Sequence, residues 1–525
     1  MTMTDLTVRT LEASTKTIPL DTVAGLRSKL RGTVVLPGED GYDAARSIWN
    51  AMIDRRPGLV ARCLGAADVI NAVKLAHDEN LLVAVRSGGH NIAGNAVCDG
   101  GFLIDLSLMK SVRVDRASRT ARVEPGATLA DFDKEAQAFG LATPLGINST
   151  TGVAGLTLGG GFGWTTRKFG LTIDNLISAD VVTADGKLIR ASEAEHHDLF
   201  WALRGGGGNF GVVTSFEFKL HPLGPEVLSG LIVHPLERAA ELLPEYRRIA
   251  NEAPDELTIW AVMRKAPPLP FLPTEWHGKE VLIFAACYSG DINEGKKATA
   301  ALRALGKPIV DVIGPHAFTG WQMAFDPLLT PGARNYWKSH DFTDLSDAAI
   351  KVILDAVGTL PSPECEVFIA HVGGAMARVP AKATAWANRD AHFVMNAHTR
   401  WRDQAQDSSC IAWARQLFRS AAPFASGSVY VNFMPDDENE RVEKAYGANY
   451  RRLAEIKRDY DPNNLFRESS VLSRRDEREL KYVEKTSCLP KGLTQSEILR
   501  RNGGLASMLM SVRAMDEHPS NQRFF

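Results

Sequence analysis

No apolar run in the 525 residues approaches the roughly 20 that a membrane-spanning helix requires, so no membrane partner is expected. The opening stretch, MTMTDLTVRTLEASTKTIPL, lacks the long apolar core of a secretory signal. Cysteine is sparse: Cys63, Cys98, Cys287, Cys365, Cys410 and Cys488 are scattered with no CxxC pair or framework spacing. Isolated thiols in a chain of this length suit a reducing compartment, and a cytoplasmic location is the expectation. Charge of one sign is also missing, with 60 basic residues against 62 acidic ones and a formal net charge of −2. Such balance leaves no electrostatic footprint for nucleic acid, so the expected partner is a small molecule. Neither HExxH nor GxSxG occurs, which leaves zinc proteolysis and serine hydrolysis without support.

What the chain does have is a globular balance, 45% hydrophobic and 23% charged, over a length that calls for more than one domain. Residues 66–79 set Val69, Val73 and Ala76 on one helical face. The apolar run 81–85 reads as a buried strand, and further strands are expected at 102–106 and 121–123. Thr128 with Asp131 three residues on forms a helix N-cap box, and Gly140 closes that helix. Asp185-Gly186 between two apolar segments is a hairpin signal, followed by a helix over about 193–204. The alternation of Phe216, Phe218 and Leu220 with Glu217 and Lys219 marks a half-buried strand. His221-Pro222-Leu223-Gly224-Pro225 then breaks the pattern and sets a domain boundary. From 226 to 425, the strand-like segments LTIWAVM, EVLIFAACY and ECEVFIAHV alternate with helical stretches, as in a sheet covered by helices on one side. A strand at 428–433 and a helix through 446–460 follow, and residues 468–525 read as a weakly ordered extension.

Glycine is concentrated in three stretches of the first half: 87–90, 152–163 and 205–211. A nicotinamide-binding Rossmann fingerprint must follow a strand and open a helix. The run at 205–208 follows a helix and opens a strand, and the run at 159–163 shows no clear helix signal after it. Gly290 to Lys296 has P-loop spacing, but Lys297 stands where the motif needs Ser or Thr, so it reads as a helix entry. Any one glycine stretch is satisfied by tight turns. Three together favour an extended phosphate-bearing ligand held by backbone amides. His90 has two readings as well. A histidine after two glycines is most often a turn residue, yet it lies with Arg86 at the end of a buried strand, where ligands bind, and imidazole is a nucleophile.

Four segments in order, VRSGGHN at 85–91, GVAGLTLGGGFGWTTRKFGLTIDNL at 152–176, ALRGGGGNFGVVTSFEFKLHP at 202–222 and YGANYRRLAEIKRDYDPNNLF at 446–466, resemble the berberine-bridge-enzyme-like branch of the vanillyl-alcohol oxidase superfamily. The resemblance covers roughly residues 25 to 467. It implies an α+β fold, with a two-part PCMH-type FAD-binding domain over 25–225. An α/β substrate domain would follow over 226–425, its antiparallel sheet covered by helices. Residues 426–467 would return to the FAD domain, with 468–525 an atypical tail. It implies FAD bound by Arg86, Ser87, Gly88, Gly89, His90, Asn91, Gly152, Val153, Gly155, Gly160, Gly163, Gly211 and Val212. His90 would carry a covalent link to the flavin, and that link would be single, because Asn148 stands where many relatives place a second, cysteinyl attachment. Relatives often carry a tyrosine base in a Tyr-x-Asn-Tyr segment. Here it is Tyr430-Val431-Asn432-Phe433, so Tyr430 is the candidate base or substrate-orienting group, and Tyr336 and Lys338 are further catalytic candidates. The activity implied is hydride transfer from a small alcohol, sugar or secondary metabolite to FAD, with dioxygen as acceptor. A dehydrogenase using another acceptor, or a flavin-binding remnant, is the alternative.

Overall fold

The computed structural model describes residues 5–467; the expectation for 468–525 lies outside them. The fold is α+β, as expected. In the first sheet the strands run in the order Thr33–Val35, Leu59–Arg62, Phe102–Asp105, Val83–Arg86, with the last three parallel. The helix Ala66–Asp78 makes the crossover that parallel pairing demands. Its buried stripe is Val69, Ala72, Val73 and Ala76, each fully excluded from solvent. The same core takes in Val8 and Ile18 of an N-terminal hairpin and Val23 and Leu26 of the helix Leu20–Lys29, so it reaches back before residue 25.

A second, antiparallel sheet orders Leu188–Ser192, Leu176–Val182, Val212–Lys219, Thr120–Val123 and Val112–Asp115. The hairpin at Asp185-Gly186 is present, with Gly186 at φ 76°. Thr128 and Asp131 form the capping box of the helix Leu129–Gln137. The helix expected over 193–204 is shorter, His197–Leu203. Ser192 Oγ accepts from the amides of Ala194 and Glu195, and this local turn displaces the first helical turn. Gly290 to Lys296 is a helix entry, with Asp291 capping Ile292–Ala298.

The second part is an eight-stranded antiparallel sheet. Its main order is Val310–Asp311, Glu226–Pro235, Glu280–Tyr288, Leu257–Lys265, Glu366–His371, Phe393–Trp401, Arg334–Phe342. Period-two alternation divides its side chains between two environments. Ile259, Ala261, Met263, Val367, Ile369, Met395 and Ala397 pack under the helices Ala239–Glu252, Asp347–Val357 and Asp407–Ala421. Trp260, Phe368, Ala370 and Val394 point the other way and meet Phe162, Trp164 and Tyr430.

One expected strand is corrected. Residues 428–433 form no strand, and Val431–Phe433 is a single 3-10 turn. In such a turn residues i and i+3 lie on one side. That spacing brings the rings of Tyr430 and Phe433 to 4.9 Å, and the Phe433 amide donates back to the Tyr430 carbonyl. The helix expected through 446–460 begins at Tyr450 and ends at Tyr460 after a short 3-10 turn.

Candidate functional site

A cavity of about 920 Å³ lies between the glycine-rich loops and the helix-free face of the large sheet. This is at the upper end of the usual range of ligand pockets, about 300–1,000 Å³. Ser87, Gly88, Gly89, His90, Asn91, Gly152, Gly155, Gly211 and Val212 line it, so nine of the thirteen expected cofactor contacts converge.

The remaining four do not reach it. The Arg86 guanidinium is turned into the protein, donating to Asp105 at 2.7 and 3.1 Å and to the Ser47 carbonyl at 3.0 Å. Val153 is fully buried. A Cβ at Gly160 would stand 3.1 Å from the Trp386 ring, and one at Gly163 would strike the Leu145 carbonyl at 2.0 Å. These two glycines serve close packing rather than ligand approach.

The end of the cavity near residue 88 is made of backbone. Gly88 and Gly152 press together so closely that a Cβ on either would overlap the other's backbone. Among the described residues, the successive amides of Gly88, Gly89, His90 and Asn91 donate to no acceptor. Consecutive free N–H groups form a nest for an anion. Gly155 also lines the cavity, and a Cβ there would meet nothing within 4 Å.

His90 stands beside this nest, half-buried. Its ring stacks on Trp49 at 5.1 Å and 21°, and its Nε2 lies 3.1 Å from Thr150 Oγ1. Thr150 in turn donates to Asn148 Oδ1 at 2.8 Å, and Asn148 lines the cavity where a second attachment would sit. Burial pulls the imidazole down to about 4, so it is neutral and nucleophilic near pH 7.

Tyr430 is at the cavity wall and 3% exposed. Its hydroxyl accepts from the Gly161 amide at 3.2 Å and from Asn432 Nδ2 at 2.9 Å. Burial pushes its ionisation up to about 12, so the group keeps its proton and can donate it to a ligand. Tyr336 and Lys338, in contrast, lie on the helix-facing side of their strand. Tyr336 donates to Asp437 at 2.7 Å, while Lys338 is held by Asp437 at 2.9 Å and Glu438 at 2.8 Å. Both candidates are therefore corrected to structural roles. Alternation along Arg334–Phe342 turns Trp337 to the cavity instead, and Lys338 supplies no cation to Tyr430.

Sequence reasoning missed the polar row on the sheet. Cross-strand register aligns Arg264, Glu366, His398 and Trp337 on four adjacent strands. Arg264 Nη1 donates to Glu366 Oε2 at 2.6 Å, and His398 Nδ1 is 3.1 Å from Glu366 Oε1. Burial alone would raise the Glu366 carboxyl, but the Arg264 charge and the His398 hydrogen bond outweigh it and hold the group at about 2. One row on, Asn396 faces Phe368 across the strands, and neither end of its amide has a partner. The available signal was a charge inside an apolar strand, Glu366 in ECEVFIAHV, and polar alternation in the segment FVMNAHTRW. Aromatic rings complete the wall, with Trp164 and Trp260 at 4.9 Å and Trp337 and His398 at 4.7 Å.

Comparison with known proteins is consistent with this arrangement. The family described as FAD binding domain matches residues 57–192, and that described as Berberine and berberine like matches residues 429–470. Over 454 residues the chain is 34% identical to the (R)-6-hydroxynicotine oxidase of Paenarthrobacter nicotinovorans, covering 83% of this chain and 96% of that one. The solved structure of 6-hydroxy-D-nicotine oxidase from Arthrobacter nicotinovorans is similar with a TM-score of 0.77 at 31% identity, over 85% of this chain and 98% of that one. Xylooligosaccharide oxidase from Myceliophthora thermophila is similar with a TM-score of 0.74 at 25% identity, over 85% of this chain and 97% of that one.

Proposed function

The chain belongs to the berberine-bridge-like FAD-linked oxidoreductases, and from that premise we propose that it is an oxidase holding FAD covalently through His90. It is an FAD-dependent oxidoreductase acting on a small substrate. The finer reading, of link, acceptor and substrate, rests on one observation above all. A single cavity joins the free amides of 88–91 and the neutral His90 to a polar row on the sheet.

The residues fit the cofactor. Four unpaired amides suit a pyrophosphate, and among the described residues no acidic side chain lines that end of the cavity to repel it. Flavin, when bound, supplies a two-electron acceptor for hydride. His90 offers an uncharged nitrogen for the attachment, with Thr150 and Trp49 fixing its ring. With Asn148 in place of a thiol, the link is single.

The substrate reading is a small molecule bearing an oxidisable C–H beside a hydroxyl or amine. Support comes from relatives whose names specify a hydroxynicotine and a xylo-oligosaccharide, and both are named oxidases, which favours dioxygen as acceptor. Tyr430 donates a hydrogen bond that orients the bound substrate, and the aromatic wall excludes water. Among the described residues five cysteines are buried and unbridged, which supports a reducing, cytoplasmic location.

The test is a visible spectrum of the purified protein, repeated on the acid-precipitated and washed pellet. Yellow colour that stays with the wild-type pellet and washes out of His90→Ala supports the link; colour that washes out of both removes it. Anaerobic mixing with 6-hydroxynicotine, aromatic alcohols and xylo-oligosaccharides then separates the alternatives. Bleaching followed by rapid recovery in air, with peroxide formed, supports the oxidase. Bleaching that persists in air indicates a dehydrogenase, and absence of bleaching across the panel favours a remnant.

A further inference from the structure

The Tyr-x-Asn-Tyr segment of many relatives ends here in Phe433, which has no group to titrate. Phe433 instead packs edge-on against Trp337 at 5.5 Å and Phe368 at 5.9 Å. Those same two rings flank His398, at 4.7 and 6.3 Å. An imidazole thus stands within the aromatic cluster that surrounds the missing phenol.

The geometry points to His398 as the group that accepts the substrate's proton, held for that task by Glu366 and Arg264. This assignment rests on the oxidoreductase reading above and specifies where its proton goes. Three observations carry it. Val394, Asn396 and His398 alternate with Met395 and Ala397, which are packed under the helices, so the imidazole faces the cavity. Its Nδ1 is engaged by Glu366, whose second oxygen is taken by Arg264. Its Nε2 is buried and has no hydrogen-bond partner among the described residues.

A carboxylate accepts only, so Nδ1 carries a ring proton, and in the neutral imidazole Nε2 then presents a lone pair. This is the logic by which a buried acid fixes the tautomer of a basic histidine and balances the cation it becomes. An unpaired buried nitrogen is unfavourable, and a bound hydroxyl or amine would satisfy it. With flavin bound as the two-electron acceptor, the substrate carbon would give up its hydrogen together with the bonding pair to that ring. The adjoining O–H or N–H bond breaks, its proton goes to His398 Nε2, and its electron pair becomes the new C=O or C=N bond.

The charged and titratable groups around the imidazole are few. Glu366 lies on the strand beside it, Arg264 on the strand beyond that, and Arg400, two residues on, is tied to Glu364 at 2.9 Å. Tyr430, on the facing turn, stays protonated. Glu366 acts through the imidazole and is a positioning residue.

The experiment uses 4-nitrophenol with the yellow holoenzyme. The phenolate absorbs to the red of the phenol, so the spectrum reports where the proton sits. The probe has no hydrogen on the carbon bearing its hydroxyl, so its ionisation is read apart from flavin reduction. Buffered below the ionisation point of the free probe, wild type is expected to generate the phenolate band on binding. His398→Gln, checked for retained flavin and unchanged Tm, is expected to lower the bound phenolate at least tenfold. Glu366→Gln keeps the shape of the side chain but removes the balancing charge, and is expected to lower it about tenfold, one pKa unit's worth. It should also move the pH midpoint of the bound probe, which a purely structural role would not. A wild type that leaves the probe wholly neutral, or a His398→Gln that ionises it as well as wild type, overturns the assignment. Failure of the flavin reading appears separately, as a colourless protein or an absence of bleaching.

Discussion

At the residue scale, chemistry here is set by which polar atoms are left without partners. His90 presents a neutral ring whose Nε2 is held by Thr150, while Tyr430 accepts two hydrogen bonds and keeps its own proton. Removing the Tyr430 hydroxyl should therefore act on orientation and stability more than on proton transfer. Tyr430→Phe strands the Gly161 amide, at a cost of about 1–3 kcal/mol. The expected outcome is a lower Tm with flavin reduction slowed less than roughly tenfold, well short of the 10²–10⁴ that loss of a general base produces. Thermal melts and anaerobic stopped-flow on the same preparation check both parts.

At the element scale, strand alternation decides what each residue can do. Tyr336 and Lys338 flank Trp337 and were plausible from the sequence, yet period two sends both under the helices. A second case lies where the helix Leu129–Gln137 meets Phe318–Gln322. Asp133, 3% exposed, accepts from Gln322 Nε2 at 3.0 Å, and burial raises it to about 7 despite that bond. The unfolded value is about 3.9. Since the folded value is the higher one, the group's stabilisation is complete below about pH 4 and is lost as pH rises through 7. Asp133→Asn keeps the acceptor for Gln322 and offers its own N–H to Gln322 Oε1, which is buried and unpartnered. Its Tm relative to wild type should climb by a few degrees from pH 5 to pH 8 and then level off. A difference that stays flat across that range would contradict the assigned protonation.

At the scale of the described molecule, the site exists only because two parts meet. Arg167, 6% exposed and just beyond the glycine run, is the main clamp. It donates to the carbonyls of Leu257, Val372 and Ala253 at 2.9 Å each and to His371 Nε2 at 2.8 Å. One guanidinium thus ties the glycine loop to two strands of the large sheet. Arg167→Met fills much of the volume but strands these acceptors, and hydrogen bonds to a charged group contribute about 1.5–3 kcal/mol each. The expected result is a Tm lower by several degrees with weaker non-covalent retention of flavin in a His90→Ala background. Differential scanning calorimetry and flavin release on gel filtration read the two effects.

The sequence by itself determined the parts whose cause is local. The stripe of Ala66–Asp78 follows from helical spacing, the turn at Gly186 from backbone freedom, and the cap at Thr128 from a side chain reaching three residues on. The glycine stretches, too, announced a backbone-lined site, and nine of the thirteen contacts that the resemblance implied reach the cavity. What only the tertiary structure decided is which side chains face it. Arg86 is drawn away by Asp105, nineteen residues on, and Gly160 and Gly163 are claimed by Trp386 and Leu145. The row Arg264, Glu366, His398 is assembled from three strands more than thirty residues apart in sequence. No local rule fixes such a register. It is set by burial of the opposite face, because a slip of one residue would carry Met395 and Ala397 out from under the helices and His398 into the core.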